Sequence, residues 1–385
     1  MADPRDLVIG VDIGGTSTTA VLASADGRRH AWANGEGANP NAHPVDVATA
    51  RLTEVLRELL TDVDAGRVST GVLGMAGVSR LSDPAVDTAF QQAWAAAAGP
   101  AARLRVLSDV ETAFAAGTPA ATGVVLIAGT GAIAARIERN ALHRISGGHG
   151  WLLGDEGSAF WLGREAVRHT LRAVEGADRP GELTDSVLDA ALGAGSAFLD
   201  GSRTDGETRR RLIASVNSAP PVRLAEYAPL VSAACLAGDP AARKIVRRGA
   251  TELATLVRRL RTSDDTSPVI LAGSLLTSGS PLEAEVRAEL ADSADVLSEA
   301  WVDGAPDAAT GAAWLAVAAT IDDPTTARQV HRRLTERRTS VGGAPPEAWA
   351  GDTAASASTG TRAARAAGAR ASRAQAPPPA APVSP

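Results

Sequence analysis

Residues 7–22 read LVIGVDIGGTSTTAVL, and this stretch decides the fold. It begins as a buried strand of Val, Leu and Ile, then places an acid, Asp12, ahead of Gly14, Gly15 and a run of hydroxyl residues. Apolar sequence resumes at once, so residues 7–13 and 16–24 predict two strands joined by a glycine turn, ending at the turn signal ADG. A plain hairpin with a type I′ or II′ turn would account for adjacent glycines. It leaves the carboxylate unexplained. Glycine amides can approach a phosphate closely, and the Thr16 hydroxyl adds a donor. A carboxylate beside phosphate needs a cation between them, so Asp12 implies Mg²⁺ held through water.

The same pattern returns about 115 residues later as GVVLIAGTGAIAARI (123–137), with Gly129, Thr130 and Gly131 at its turn. Two such turns can grip one polyphosphate from both sides. The repeat predicts an α/β protein of two related domains facing each other across a cleft. Their expected bounds are 1–118 and 119–321, and a closing helix near 307–321 could return to the first domain. The segment 322–385, rich in Ala, Arg and Pro without apolar period, reads as a disordered tail.

Asp109 follows the strand RLRVL and opens a helix. Ser108 and Glu111 fit a capping box, in which Asp109 would only favour the helix dipole. Alternatively Asp109 is a general base at the carboxyl end of a parallel strand, where α/β folds place ligands. The stretch GGHGWLLGDEGSAFWLG (147–163) carries five glycines by residue 157, Trp151 and Trp161, and the pair Asp155-Glu156, before a helix that Ser158 could cap. Acids and aromatics on a flexible loop suit a sugar; tryptophans that only fill core are the alternative. His143 and His149 lack metal-ligand spacing.

Composition narrows the partners. The formal charge of −6 disfavours nucleic acid and acidic membrane. Cys235 is alone, so no intrachain disulfide is possible. The start, MADPRDLVIG, shows no secretory signal and no 18-residue apolar run follows, so a soluble cytoplasmic protein is expected. Lys244 is the single lysine among 38 basic residues, and no glycine run precedes it, which excludes a Walker loop.

These motifs resemble the sugar kinase, Hsp70 and actin superfamily, in which ATP sits between two ribonuclease-H-like domains. Within it the chain resembles the BadF/BadG/BcrA/BcrD-type ATPase family and its N-acetylglucosamine kinases. GVDIGGTSTTAVLA is similar to the first phosphate motif, VLIAGTGAIA to the second and VILAGSLL to the adenosine motif, while GGHGWLLGDEGSAFWLG matches the family's own signature. The resemblance spans roughly 7–320 and implies ATP-dependent phosphorylation of an amino sugar at its 6-hydroxyl. It implies that Asp12, Gly14, Gly15 and Thr16 take Mg-ATP, with Gly129, Thr130 and Gly131 opposite and Gly273 and Ser274 near adenosine. It further implies that Asp109 accepts the sugar proton and that Asn39, Gly148, His149 and Asp155 contact the sugar, with Asn41 hard to separate from Asn39.

Three departures concern the pocket for the 2-substituent: Ala132 replaces a frequent Ser, His149 a Trp and Ala76 a Ser. The resemblance still makes N-acetylglucosamine the first expected substrate, with glucosamine and N-acetylmuramic acid as alternatives. An ATPase activator of a 2-hydroxyacyl-CoA dehydratase would need two cysteines per subunit for its cluster. A sugar-responsive repressor would need a helix-turn-helix ahead of residue 7. Related kinases often pair, and the apolar helices between 224 and 260 could form a homodimer contact or a buried core.

Overall fold

The computed structural model describes residues 7–195, 206–262, 264–292 and 308–336. The strands are β1 (Leu7–Ile13), β2 (Ser17–Ser24), β3 (Arg29–Glu36), β4 (Val68–Met75), β5 (Arg103–Ser108), β6 (Gly123–Ala128), β7 (Ala132–Glu138), β8 (Ala141–Gly147) and β9 (Val269–Ala272). The first helices are α1 (Val45–Leu59), α2 (Pro84–Ala98), α3 (Asp109–Gly117), α4 (Ala159–Val174) and α5 (Glu182–Leu192). After them come α6 (Gly206–Asn217), α7 (Ala228–Ala237), α8 (Pro240–Arg258), α9 (Pro281–Asp292), α10 (Ala308–Ala318) and α11 (Pro324–Thr335).

One sheet has the order β3-β2-β1-β4-β5 and the other, among the described residues, β8-β7-β6-β9. Both are mixed in the same way. A three-strand antiparallel meander ends on a central strand, which then pairs in parallel with a strand reached by a helical crossover. The expected repeat of strand, glycine turn and strand is thus the start of each sheet. Local signals set the helix ends. Asp83, Ser158 and Asp239 cap α2, α4 and α8 with their side chains, and prolines occupy the first turns of α2 and α8.

The apolar helices between 224 and 260 furnish core: Val246, Leu253 and Val257 of α8 pack with Leu126 and Ala134 of the second sheet. Helix α3 lies between the sheets and is buried on every side from Val110 to Gly117. Its Val110 and Phe114 pack on Val125, Ile137 and Ile270 of the second sheet. Its other side meets α10, which returns to β1 and β4 as the closing helix.

That return is close. A Cβ on Gly10 would lie 2.1 Å from the Ala309 oxygen and 2.2 Å from the Ala313 nitrogen, so β1 and α10 touch through bare backbone. Neither backbone can yield, and Gly10→Val is expected to destabilise the fold by about 3 kcal/mol or more, the upper end of overpacking costs. Urea unfolding at 25 °C checks this. A loss under 1 kcal/mol would mean that α10 can slide.

Residues 324–335 correct the reading of 322–385 as a tail from its start. They form α11, capped by Asp323 with Pro324 in its first turn. Val330, His331 and Leu334 are buried against the Trp314 region of α10. His331 meets the Trp314 ring edge-on at 5.2 Å and donates from Nε2 to the Ala115 carbonyl at 2.9 Å, while burial pushes its imidazole pKa down. The helix has only three buried positions in a charged sequence, too thin a stripe to stand out from the polar segment that follows. The rest of the expected tail lies outside the described residues. No helix among the described residues is long and apolar enough to cross a membrane.

Candidate active site

Where the parallel strands end, both sheets open onto a cleft of about 370 Å³. Asp12, Gly14, Asp109, Gly273 and Ser274 line it together, joined by Ala76, Ile127, Thr277 and Ala308. Residues separated by more than 250 positions thus meet at one place.

The first turn is not a type I′ or II′ hairpin, since neither Gly14 nor Gly15 has positive φ. The Gly14 amide donates to the Ser17 carbonyl at 2.9 Å, and Gly37 donates to Thr16 at 3.0 Å. His43, which sequence reasoning passed over, donates from Nε2 to the Gly15 carbonyl at 2.7 Å. Gly15 and Thr16 are exposed and do not line the cleft as Gly14 does. Asp12 is half-buried at the mouth, paired in register with Thr19 and Gly74.

Asp109 opens α3 at the end of β5 and also lines the cleft. The capping box is present: the Ser108 amide donates to Glu111 at 2.7 Å, and Ser108 caps the helix. Glu111 is buried and also accepts from the Leu142 amide at 3.0 Å, which ties α3 to the second sheet. Because Glu111 fulfils the capping task, the Asp109 carboxyl is available to the cleft. Its Oδ1 accepts from the Ser108 hydroxyl at 3.1 Å and the Val110 amide at 3.0 Å; Oδ2 has no hydrogen bond among the described residues. Burial raises its pKa, partly offset by those two donors and by its own backbone amide. A carboxyl with a raised pKa and one oxygen free of hydrogen bonds suits a proton acceptor.

The second turn stands beside this cleft, not on its wall. Ile127 lines the cleft, and Gly129–Gly131 begins two residues later. Its carbonyls are occupied, with Ala159 donating to Gly129 at 2.8 Å and Phe160 to Thr130 at 3.3 Å. Open space remains on the Gly129 side, where a Cβ would meet nothing within 4 Å. The turn after β9 packs on the same strand end: Leu275 donates to the Ala128 carbonyl at 3.2 Å. Gly273 has φ +85°, and a Cβ there would fall 2.4 Å from the Ala128 oxygen, so glycine is required at this contact.

The residues expected to contact sugar fall in two places. Asn39 is buried and holds its neighbours: its amide donates to the Ala76 carbonyl at 3.0 Å, and its oxygen accepts from Asn41 N at 2.9 Å. Asn41 is exposed and donates to Ala76 and Gly77, so both asparagines brace the turn that puts Ala76 in the cleft. Asp155 lies off the cleft in a left-handed conformation (φ 61°), accepting from the Ala132 amide at 3.2 Å, and thereby supports the second turn. Gly147, Gly148 and Gly150 all have positive φ, and His149 between them is exposed. The two tryptophans divide: Trp161 is buried core, whereas Trp151 is 42% exposed beside Phe160.

Sequence reasoning missed Thr277 and Ala308. Thr277 donates to the Gly273 carbonyl at 3.0 Å, and Ala308 opens α10. The Gly-Ser turn was a signal for the first; nothing local marks the second.

Comparison with known proteins places the chain in a family. The family model described as BadF/BadG/BcrA/BcrD ATPase family matches residues 9–316. An N-acetyl-D-glucosamine kinase of Dictyostelium discoideum is 31% identical over 196 residues, 48% of this chain; the match spans 60% of that relative's length. An N-acetylmuramic acid/N-acetylglucosamine kinase of Clostridium acetobutylicum is 24% identical over 249 residues, covering 64% of this chain and 76% of the relative. A crystal structure from Chromobacterium violaceum, described as a candidate N-acetylglucosamine kinase, superposes with TM-score 0.62 at 27% identity. It covers 81% of this chain and 99% of that one. With the family model spanning most of its length and both glycine turns inside the match, the chain belongs to the BadF/BadG/BcrA/BcrD ATPase family.

Proposed function

We propose that this protein transfers the γ-phosphoryl group of ATP to the 6-hydroxyl of an amino sugar, N-acetylglucosamine in the first instance. The observation that carries the reading is the meeting of Asp109 with Asp12, Gly14 and Gly273 in one cleft. A half-buried carboxyl with a bare oxygen is thereby set near backbone suited to a polyphosphate. The named activities of the Dictyostelium and Clostridium relatives support the substrate class.

In this reading the two ribonuclease-H-like domains are residues 1–118, with α10 returning to them, and residues 119–321. Asp12 and the Gly14 turn would hold Mg-ATP from one side, Gly129–Gly131 from the other, and Gly273 and Ser274 the adenosine. Asp12 would bind Mg²⁺ through water, and the cation's contribution is to neutralise phosphate charge. Asp109 then takes the proton of the primary hydroxyl as the bond to phosphorus forms, since that alcohol is too weak an acid to ionise beforehand. Asn39 and the 147–155 loop would position the sugar, with Asn39 acting through the Ala76 turn as well as by contact. The substrate is a small diffusible molecule and the setting the cytoplasm; pairing of two chains is not needed to complete the cleft.

The acetamide question is open to a direct test. An acetamide requires an apolar slot and a free amine an unpaired carboxylate. N-acetylglucosamine, glucosamine and N-acetylmuramic acid, compared side by side in a coupled ADP assay, are expected to show the highest kcat/KM for N-acetylglucosamine. A preference for glucosamine would move the substrate but keep the kinase. No sugar-dependent ADP release with any of the three would end the proposal.

A further inference from the structure

A second cavity lies apart from the cleft. It measures about 690 Å³ and lies between α4, the start of α8 and the Asp178–Gly181 segment ahead of α5. No residue of the cleft lines it. Its walls are cationic in a chain whose formal net charge is −6.

Five permanently charged cations face this cavity, Arg168, Arg172, Arg179, Lys244 and Arg248, against the carboxylates Glu165, Asp178 and Asp239. Each carboxylate is already engaged. Glu165 is buried and accepts from Arg168 at 3.0 Å, with Arg248 at 3.5 Å from its other oxygen. Asp178 accepts from Arg172 at 2.7 Å and lies 3.2 Å from His169 Nδ1. Asp239 is spent on the amides of Ala241, Ala242 and Leu183. Arg179 and Lys244 have no carboxylate partner among the described residues. Two positive charges are therefore left over on one concave surface.

The floor is built for more than a solvated ion. The Arg248 guanidinium stacks over the Trp161 ring at 5.2 Å, and Trp161 and His169 are both more than nine-tenths buried. His169 Nε2 and Trp161 Nε1 are buried without a hydrogen-bond partner among the described residues. Buried polar atoms are ordinarily satisfied, and orphans at the base of a charged cavity mark a place where an occupant could supply the bonds. With Asp178 beside Nδ1, a neutral His169 ring offers Nε2 as an acceptor and Trp161 offers a donor, the pair of roles that a hydroxyl group fills.

We propose that this cavity binds a small hydroxylated phosphate monoester, with the dianionic phosphate on Arg179 and Lys244 and the hydroxylated body toward His169 and Trp161. Two unpaired cations match the charge of a phosphate monoester near neutral pH, where a carboxylate would leave one over. The chain's single lysine then has a task that its 37 arginines share only in part. The site is independent of the phosphoryl-transfer reading.

The test is calorimetric titration of the full chain at low ionic strength with glucose 6-phosphate, and with gluconate and glucose as controls. Saturable binding of glucose 6-phosphate is expected, weakening about tenfold in Lys244→Gln and about 100-fold in Arg179→Gln/Lys244→Gln, since each loses a charge-assisted contact. Lys244→Arg should retain it, and Asp109→Asn, on the far cleft, should leave it unchanged. Gluconate binding as tightly would assign the cavity to carboxylates and overturn the phosphate claim. So would binding that survives the double substitution, or binding abolished by Asp109→Asn, which would place the ligand in the cleft.

Discussion

Asp109→Asn is expected to fold, to bind ATP and to lose about 10²- to 10⁴-fold in turnover, the usual worth of a positioned base. The substitution is nearly isosteric. The Asn oxygen can still accept from the Ser108 hydroxyl and the Val110 amide, so the start of α3 should be unchanged. What disappears is the proton acceptor on the bare side of the carboxyl. The pH dependence follows from the direction of the Asp109 shift. Burial raises this carboxyl above its ordinary 3.8, so the acid limb of kcat/KM should lie above that value in the wild type and vanish in the variant. Stability runs the opposite way. Between 3.8 and the raised value the folded chain holds more protons than the unfolded one, so this group's contribution to stability falls as pH climbs through that window. Above it the wild type carries a half-buried charge that Asn lacks. The variant should therefore melt no lower than wild type at pH 8, and a large loss of melting temperature would mean that Asp109 is structural.

Asp12→Asn has the second largest expected effect. Asp12 is half-buried and lines the cleft together with Gly273. If it holds a hydrated cation against phosphate, the neutral amide should raise the Mg²⁺ concentration required for half activity and lower turnover about 100-fold at fixed Mg²⁺, since charge stabilisation by a metal is worth several kcal/mol. The discriminating readout is the Mg²⁺ titration: a variant with an unchanged Mg²⁺ requirement would remove Asp12 from the metal's surroundings. Asp109→Asn, by contrast, should leave that requirement alone.

Much of this arrangement was legible because glycine and Asp occupy apolar sequence only for a reason. The two strand–turn–strand units, the strand before Asp109 and the helix within 307–321 all follow from local pattern, and each is present in the fold. Asp109 was ambiguous because its capping box and its place at a strand end are both true, and only Glu111, bonded across to Leu142, shows which residue carries the structural duty. Asp155 could not be read locally. Its left-handed backbone turns it back on Ala132, a contact across 23 residues that no periodicity announces. The same holds for His43 on Gly15 and for Gly273 on Ala128, 145 positions apart. Helix α11 failed for another reason: its three buried residues sit in arginine-rich sequence, and its stability comes from Trp314 and the Ala115 carbonyl rather than from its own propensity.

The most direct test of phosphoryl transfer across this cleft is the identity of its product. Wild-type protein incubated with Mg-ATP and N-acetylglucosamine should give one new phosphomonoester signal in ³¹P NMR, with the phosphorus coupled to carbon 6 and formed in equal amount to ADP. ATP converted to ADP and free phosphate, with no phosphorylated sugar, would contradict it.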